Sequence, residues 1–292
     1  MSSTDHLASP SKDGTAQAAR LRRLRTLRSA LLFIVILALG LVTIFPVLWM
    51  VSSAFKPSNE QYDLKLIPQS PTFDNFRYVF SAIPFWRYMA NSFFVSVVVT
   101  AIALFFHSMA AYALARLRFP GRDVIFLAIF TTMLISLPVI LVPLFILVRE
   151  LHMLNSYSGL IIPAIFHAFG IFLLRQFYLG IPRELEEAAI VDGAGYWRVY
   201  TNVILPLSKP ILSALAVFFF LANWNSFLWP LTITTNQDLW VVQIAISSFQ
   251  QQYASSQNYI MAASVVVAAP TMLLFLFFQR QLVESIKTSG FK

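Results

Sequence analysis

The 292 residues are 58% hydrophobic and only 12% charged, against roughly 25% charge in an average soluble domain, so no water-facing surface can be built from them. The absence of cysteine excludes disulfides, thiolate catalysis and Cys-ligated zinc. The net charge of +8 argues weakly for nucleic acid, because the basic residues are distributed as membrane topology distributes them.

Met1 to Gln17 lacks periodicity and reads as disordered, and a basic run from Arg20 to Arg28 follows it, so 1–28 is expected to be a disordered basic cytoplasmic tail. The apolar block Ser29 to Val51 is too long for a signal-peptide core and has no small-residue cleavage site, which makes it an uncleaved first span. Five more blocks follow at Asn91–Ala113, Val124–Val148, Tyr157–Leu179, Pro210–Leu231 and Tyr259–Phe278. Each approaches the length of about 20 residues that crosses the hydrocarbon layer, and none contains Asp, Glu or Lys. The expected fold is an all-α membrane protein of six transmembrane helices in one domain, 29–281, followed by a C-terminal tail, 282–292. Pro138, Pro143 and Pro270 fit either kinks that open a path or static bends.

Of the 21 Lys and Arg, 16 lie in the N-terminus, the Arg116–Arg122 turn, the Arg175–Lys209 region and the C-terminus. Short cytoplasmic segments collect such residues, so both termini are expected to be cytoplasmic in a multi-pass inner-membrane protein. The external segments Ser52–Ala90 and Thr232–Asn258 are then long loops, and Trp49, Trp86, Tyr88, Trp229 and Trp240 read as interfacial anchors.

The segment Ile181–Pro210, IPRELEEAAIVDGAGYWRVYTNVILPLSKP, is more charged than a connector needs. Pro182 suits a first helical turn, and Glu184, Glu186 and Glu187 complement its positive end. Gly193 is placed to stop the helix in a left-handed cap, Gly195 adds freedom beside it, and a second stretch from Tyr196 to Ile204 is expected to stop before Pro206. Ala188, Ala189 and Ala194 are small enough for another surface to approach the backbone, with Glu187, Ile190 and Val191 at helical spacing beside them. Three glutamates suit an anionic leaflet badly, so the reading is a protein-docking loop, the coupling loop 181–209.

This loop resembles the EAA loop of the membrane subunits of ABC importers, whose pattern is matched by Glu187, Ala188, Ala189, Gly193, Leu205 and Pro206. Four more segments resemble the carbohydrate-uptake branch related to the second maltose-transport membrane subunit: SSAFKP at Ser52–Pro57, AYALARLRFPGR at Ala111–Arg122, WNSFLWPL at Trp224–Leu231, and the tail Gln279–Lys292, which departs from the family's Gly- and Ala-rich ending. The resemblance implies that Glu187, Ala188, Ala189, Asp192, Gly193 and Ala194 couple to a separate ATPase. It also implies a second homologous permease subunit, a dimer of ATP-binding subunits, an extracytoplasmic solute-binding protein and a carbohydrate substrate.

No GxxxxGK[ST] loop occurs, so ATP and Mg are expected on the partner subunit and no cofactor on this chain. His6, His107, His152 and His167 form no metal spacing, and no catalytic residue or nucleic-acid partner is expected. Asn91, His107, His167, Asn223, Trp224, Asn225 and Gln279 are the polar or aromatic groups available to a solute path; Asn223, Trp224 and Asn225 fit sugar hydroxyls and a sugar ring, and equally fit helix-to-helix hydrogen bonds. Packing as neutral core groups suits the two histidines better. Gln250, Gln251 and Tyr253 are polar and aromatic enough to touch the binding protein. An ion-coupled secondary transporter is the competing class, disfavoured by spans without acids, and glycerol phosphate is a competing cargo.

Overall fold

The computed structural model describes the backbone of residues 12–289 and the side chains of 27–279. Its first helix, α1 (Lys12–Ala54), is apolar on every side from Leu27, and none of its most apolar stretch is buried inside the chain, as suits a helix solvated by lipid. Residues 12–28 are helical, contrary to the expected disorder: their Ala-, Leu- and Arg-rich sequence favours helix and extends one already nucleated. Residues 1–11 of that tail lie outside the described residues.

After an irregular segment, the short α2 (Asp74–Ala82) leads into α3 (Phe85–Arg116), which at 32 residues runs for about 48 Å and forms the axis of the molecule. Its buried positions, from Asn91 and Ser92 through Val95, Val99, Ala103, His107, Ala111 and Ala115, recur every three or four residues. Small residues along that stripe let neighbouring helices approach closely.

The block expected as a single span from Val124 to Val148 is instead sharply bent. α4 (Arg122–Thr131) ends in a 3-10 turn at Thr132–Leu134, and α5 (Leu137–Glu150) leaves at 106°. Ile135 and Ser136 are extended, and Pro138, without an N–H, opens α5 in its first turn, where that loss is harmless. Pro143 sits inside α5 without ending it. The next span is divided between α6 (Tyr157–Ile165) and α7 (Ala168–Leu179), with Phe166 and His167 extended between them.

α8 (Glu184–Val191) and α9 (Tyr196–Val199) follow, then a π-helical turn at Tyr200–Ile204 that runs into α10 (Leu205–Leu207). The chain therefore does not stop before Pro206 as expected, since the widened π turn relieves the clash of a proline ring with the preceding turn. The break comes at Ser208, where α11 (Lys209–Trp224) departs at 75°. α11 ends at Trp224 rather than near Leu231, and α12 (Leu228–Ile233) is a separate piece.

Most of the expected loop Thr232–Asn258 is also structured. It contains α13 (Val242–Gln252), whose buried Val242, Ile244, Ala245 and Phe249 pack it on α3 and on α14 (Gln257–Ser289), where Pro270 causes no break. Tyr88 and Trp229 are buried rather than interfacial, and Trp229 Nε1 donates to the Gly159 carbonyl at 3.0 Å. Within the described residues, four helical segments are long and apolar enough to cross a membrane, and six if each bent pair is one span.

Candidate functional site

Three side chains on one face of α3, spaced by four residues, hold α8 and the π turn that follows α9. Ser108 Oγ lies 2.6 Å from Tyr200 Oη, the Tyr112 ring packs on that of Tyr200 at 5.2 Å, and Arg116 Nε lies 2.7 Å from Glu186 Oε1. The last pair is nearly buried, at 5% and 12% side-chain exposure, and the two atoms meet as an ion pair by distance rather than as an aligned hydrogen bond. Arg116 also donates through Nη2 to the Ile181 carbonyl, just before α8. Burial lifts the Glu186 carboxyl above its ordinary range, opposed by the Arg116 and Arg183 guanidinia, while Glu187 adds to the rise. Beside this seam Arg175 Nε donates to the Leu114 carbonyl at 3.2 Å and its guanidinium covers the Phe126 ring at 3.9 Å.

α8 ends as its sequence predicts. Gly193 takes φ of +81°, its N–H donates to the Ile190 carbonyl and that of Ala194 to the Ala189 carbonyl, the paired bonds of a Schellman cap. Gly195 lies at φ −75°, a conformation open to any residue, so the freedom expected of it is unused. Seated on Glu186, the helix presents Glu187, Ala188, Ile190 and Val191 outward, with Val191 86% exposed; Tyr196 and Trp197 continue the apolar surface, and Asp192 is exposed beside it. Ala189 and Ala194 turn inward against the chain's own core. Their small size serves internal packing, not approach by another surface.

The residues expected on a solute path are not gathered at one place. Asn223 Nδ2 donates back to the Phe219 carbonyl at 2.8 Å, and Asn225 Nδ2 to that of Leu221 at 2.9 Å. Trp224, 1% exposed, stacks on Phe220 and donates from Nε1 to the Val267 carbonyl. Asn91 ties α3 to the carbonyls of Asp238 and Trp240, and Tyr157 donates to its Oδ1. His107 is buried and its Nε2 accepts from the His167 N–H, while the His167 ring stacks on Phe219. Gln279 donates back to its own helix. At the opposite end of α3 from α8, Gln250 and Gln251 are exposed, and Tyr253 packs in an aromatic group with Tyr78, Phe249 and Tyr259. Ser108, Tyr112 and Arg116 escaped sequence reasoning, although polar groups four residues apart in an apolar span are a readable stripe.

The family described as binding-protein-dependent transport system inner membrane component matches residues 107–288, from the α3 seam through α8 to α14. The chain belongs to this family. As a permease it is a transport subunit and not an enzyme, and the ATPase of such a system is a separate chain. It is 34% identical over 276 residues to the arabinooligosaccharides transport system permease protein of Halalkalibacterium halodurans, covering 93% of this chain and 99% of that one. It is 36% identical over 252 residues to the trehalose transport system permease protein of Mycobacterium tuberculosis, covering 85% and 91%. With the sn-glycerol-3-phosphate transport system permease protein of Escherichia coli it shares 33% over 264 residues, covering 87% and 94%. Its fold matches the crystal structure of a bacterial ABC transporter involved in the import of the acidic polysaccharide alginate, with a TM-score of 0.76 at 23% identity over 94% of this chain and 99% of that chain.

Proposed function

We propose that this permease carries a sugar or oligosaccharide delivered by a soluble binding protein, and that α8 is the seat for the ATPase. The observation that carries the reading is the Schellman-capped α8, locked on its inner side by Glu186 and offering Glu187, Ile190 and Val191 on its outer side. A helix so held transmits displacement to α3 rather than absorbing it. ATP with Mg, bound between two ATPase subunits, would draw together the α8 seats of this chain and of a second homologous permease, shifting the bundle between outward and inward states. The basic residues clustered at the α8 end support a six-span chain with both termini cytoplasmic. Gln250, Gln251 and Tyr253 then stand on the external face, where the binding protein docks.

The sugar assignment rests on the relatives that transport arabinooligosaccharides and trehalose. A glycerol phosphate cargo has the Escherichia coli relative in its favour, at 33% identity. Asn223 and Asn225, flanking buried Trp224, remain the proposed points of solute contact. Membership of this family, with its separate ATPase, displaces the ion-coupled alternative.

Gly193→Val tests the lever. Nothing lies within 4 Å of a Cβ built there, so the substitution strains only the backbone, by about 1–2 kcal/mol. Uptake in whole cells should be lost while the complex still assembles, and Gly193→Asn, which tolerates the left-handed region, should retain uptake. Unchanged uptake in Gly193→Val would remove the lever from the account.

A further inference from the structure

Where the turn between α3 and α4 meets the entry to α8, an open recess of about 610 Å³ is bordered by Arg118, Arg122, Arg183, Asp123, Phe119 and Val124. Arg122 is engaged by Asp123, at 3.1 Å between Nε and Oδ1, and Arg175 leans on the same carboxylate at 3.7 Å. Arg118 and Arg183 are exposed and, among the described residues, stand within contact distance of no acid, Arg183 acting on Glu186 only from farther off. Three guanidinia thus face one carboxylate already in use. A preference for basic residues on one side of a membrane accounts for their presence in these segments but not for their convergence on one concavity from two elements.

In the proposed orientation, on which this inference rests, the recess lies at the cytoplasmic edge of the spans, beside the apolar start of α4. Val124, 72% exposed, begins the apolar face of α4, and Phe119 stands exposed on the same rim. An occupant must satisfy forked cationic donors at one end and an apolar wall at the other. Guanidinium matches phosphate oxygens in pairs, and basic pockets beside spans on the cytoplasmic side suit anionic headgroups. We infer that this recess binds the phosphate of an anionic phospholipid, held between Arg118 and Arg183, its acyl chains running along α4. The bound phosphate would bridge the bundle to the start of α8, so that the lipid sets how firmly α8 is held. The site is independent of the cargo carried.

The test is native mass spectrometry of the intact transporter complex titrated with phosphatidylglycerol, and in parallel with phosphatidylcholine. Phosphatidylglycerol adducts should persist on the permease where phosphatidylcholine is shed. Arg118→Gln/Arg183→Gln should weaken them by about tenfold per arginine removed, with the ATPase still bound. Arg118→Lys/Arg183→Lys keeps the charge without the fork and should fall between the two, which preserves the comparison if the first variant is unstable. Equal retention of both lipids, or equal adducts in wild type and the glutamine variant, would overturn the site. Displacement of phosphatidylglycerol by inorganic phosphate at matched concentration would assign the recess to a soluble anion, and loss of the ATPase with lipid retained would assign it to the partner protein; either result rejects the inference.

Discussion

Arg116 and Glu186 decide how α8 sits on the bundle. Removing one partner of a nearly buried pair leaves the other charge without compensation, at a cost of about 3–5 kcal/mol, whereas replacing both by apolar groups of similar volume is close to neutral. Arg116→Ala should therefore lower the melting midpoint of the purified complex, and Arg116→Met/Glu186→Leu should restore most of it. A midpoint in the double variant no higher than in Arg116→Ala would mean that the two side chains do not act as a pair.

The raised carboxyl of Glu186 adds a pH dependence. A group that holds its proton more tightly in the seat than in the open loop contributes stability that is whole below the ordinary carboxylate pKa and is lost as pH rises through the seated value. Protection factors of the α8 amides against hydrogen exchange should fall over that interval in the wild type and stay level in Glu186→Gln. The same slope in both would refute this. At this scale the sequence was legible for Gly193, because a glycine after an acid-started helix has one common use. It was not legible which of Glu186 and Glu187 turns inward, since adjacent positions share composition and differ only in the face they occupy.

Among the helices, the seam of α3 with α7 and α11 depends on Gly170. A Cβ there would stand 2.6 Å from His107 Nδ1 and 2.6 Å from Phe219 Cζ, both in side chains that are themselves buried. Gly170→Ala should lower stability by about 1–3 kcal/mol, the usual cost of overpacking, seen as an earlier thermal inactivation of the complex. An unchanged midpoint would show that the seam is loose. The apolar blocks were readable because lipid demands continuous runs. The 106° turn at Ile135–Ser136 and the 75° turn at Ser208 were not, for hydropathy carries no backbone direction. The helical α13 was hidden by its polar Gln250 to Gln252 end, which obscures the buried Val242–Phe249 face.

For the whole molecule, the two working surfaces lie toward opposite ends of α3, a helix about 48 Å long, with α8 beside Arg116 and α13 packed from Ser92. The chain has no cysteine, so single introduced thiols report on each end without background. Topology follows from labelling with a membrane-impermeant reagent: Gln250→Cys should react in intact cells and Val191→Cys only after lysis, and the reverse pattern would contradict the proposed orientation. Leu134 in the turn after α4 and Val139 and Val142 on α5 are exposed apolar residues, such as lipid or a partner subunit covers. The claim that unites these features is that α8 is the contact through which ATP reaches the bundle. Its most direct measurement is a cross-link from Val191→Cys, 86% exposed at the end of α8, to the ATPase in the purified complex. Val191→Cys should cross-link to the ATPase and Gln250→Cys should not; an intact complex in which Val191→Cys forms no cross-link to the ATPase would contradict the role of α8.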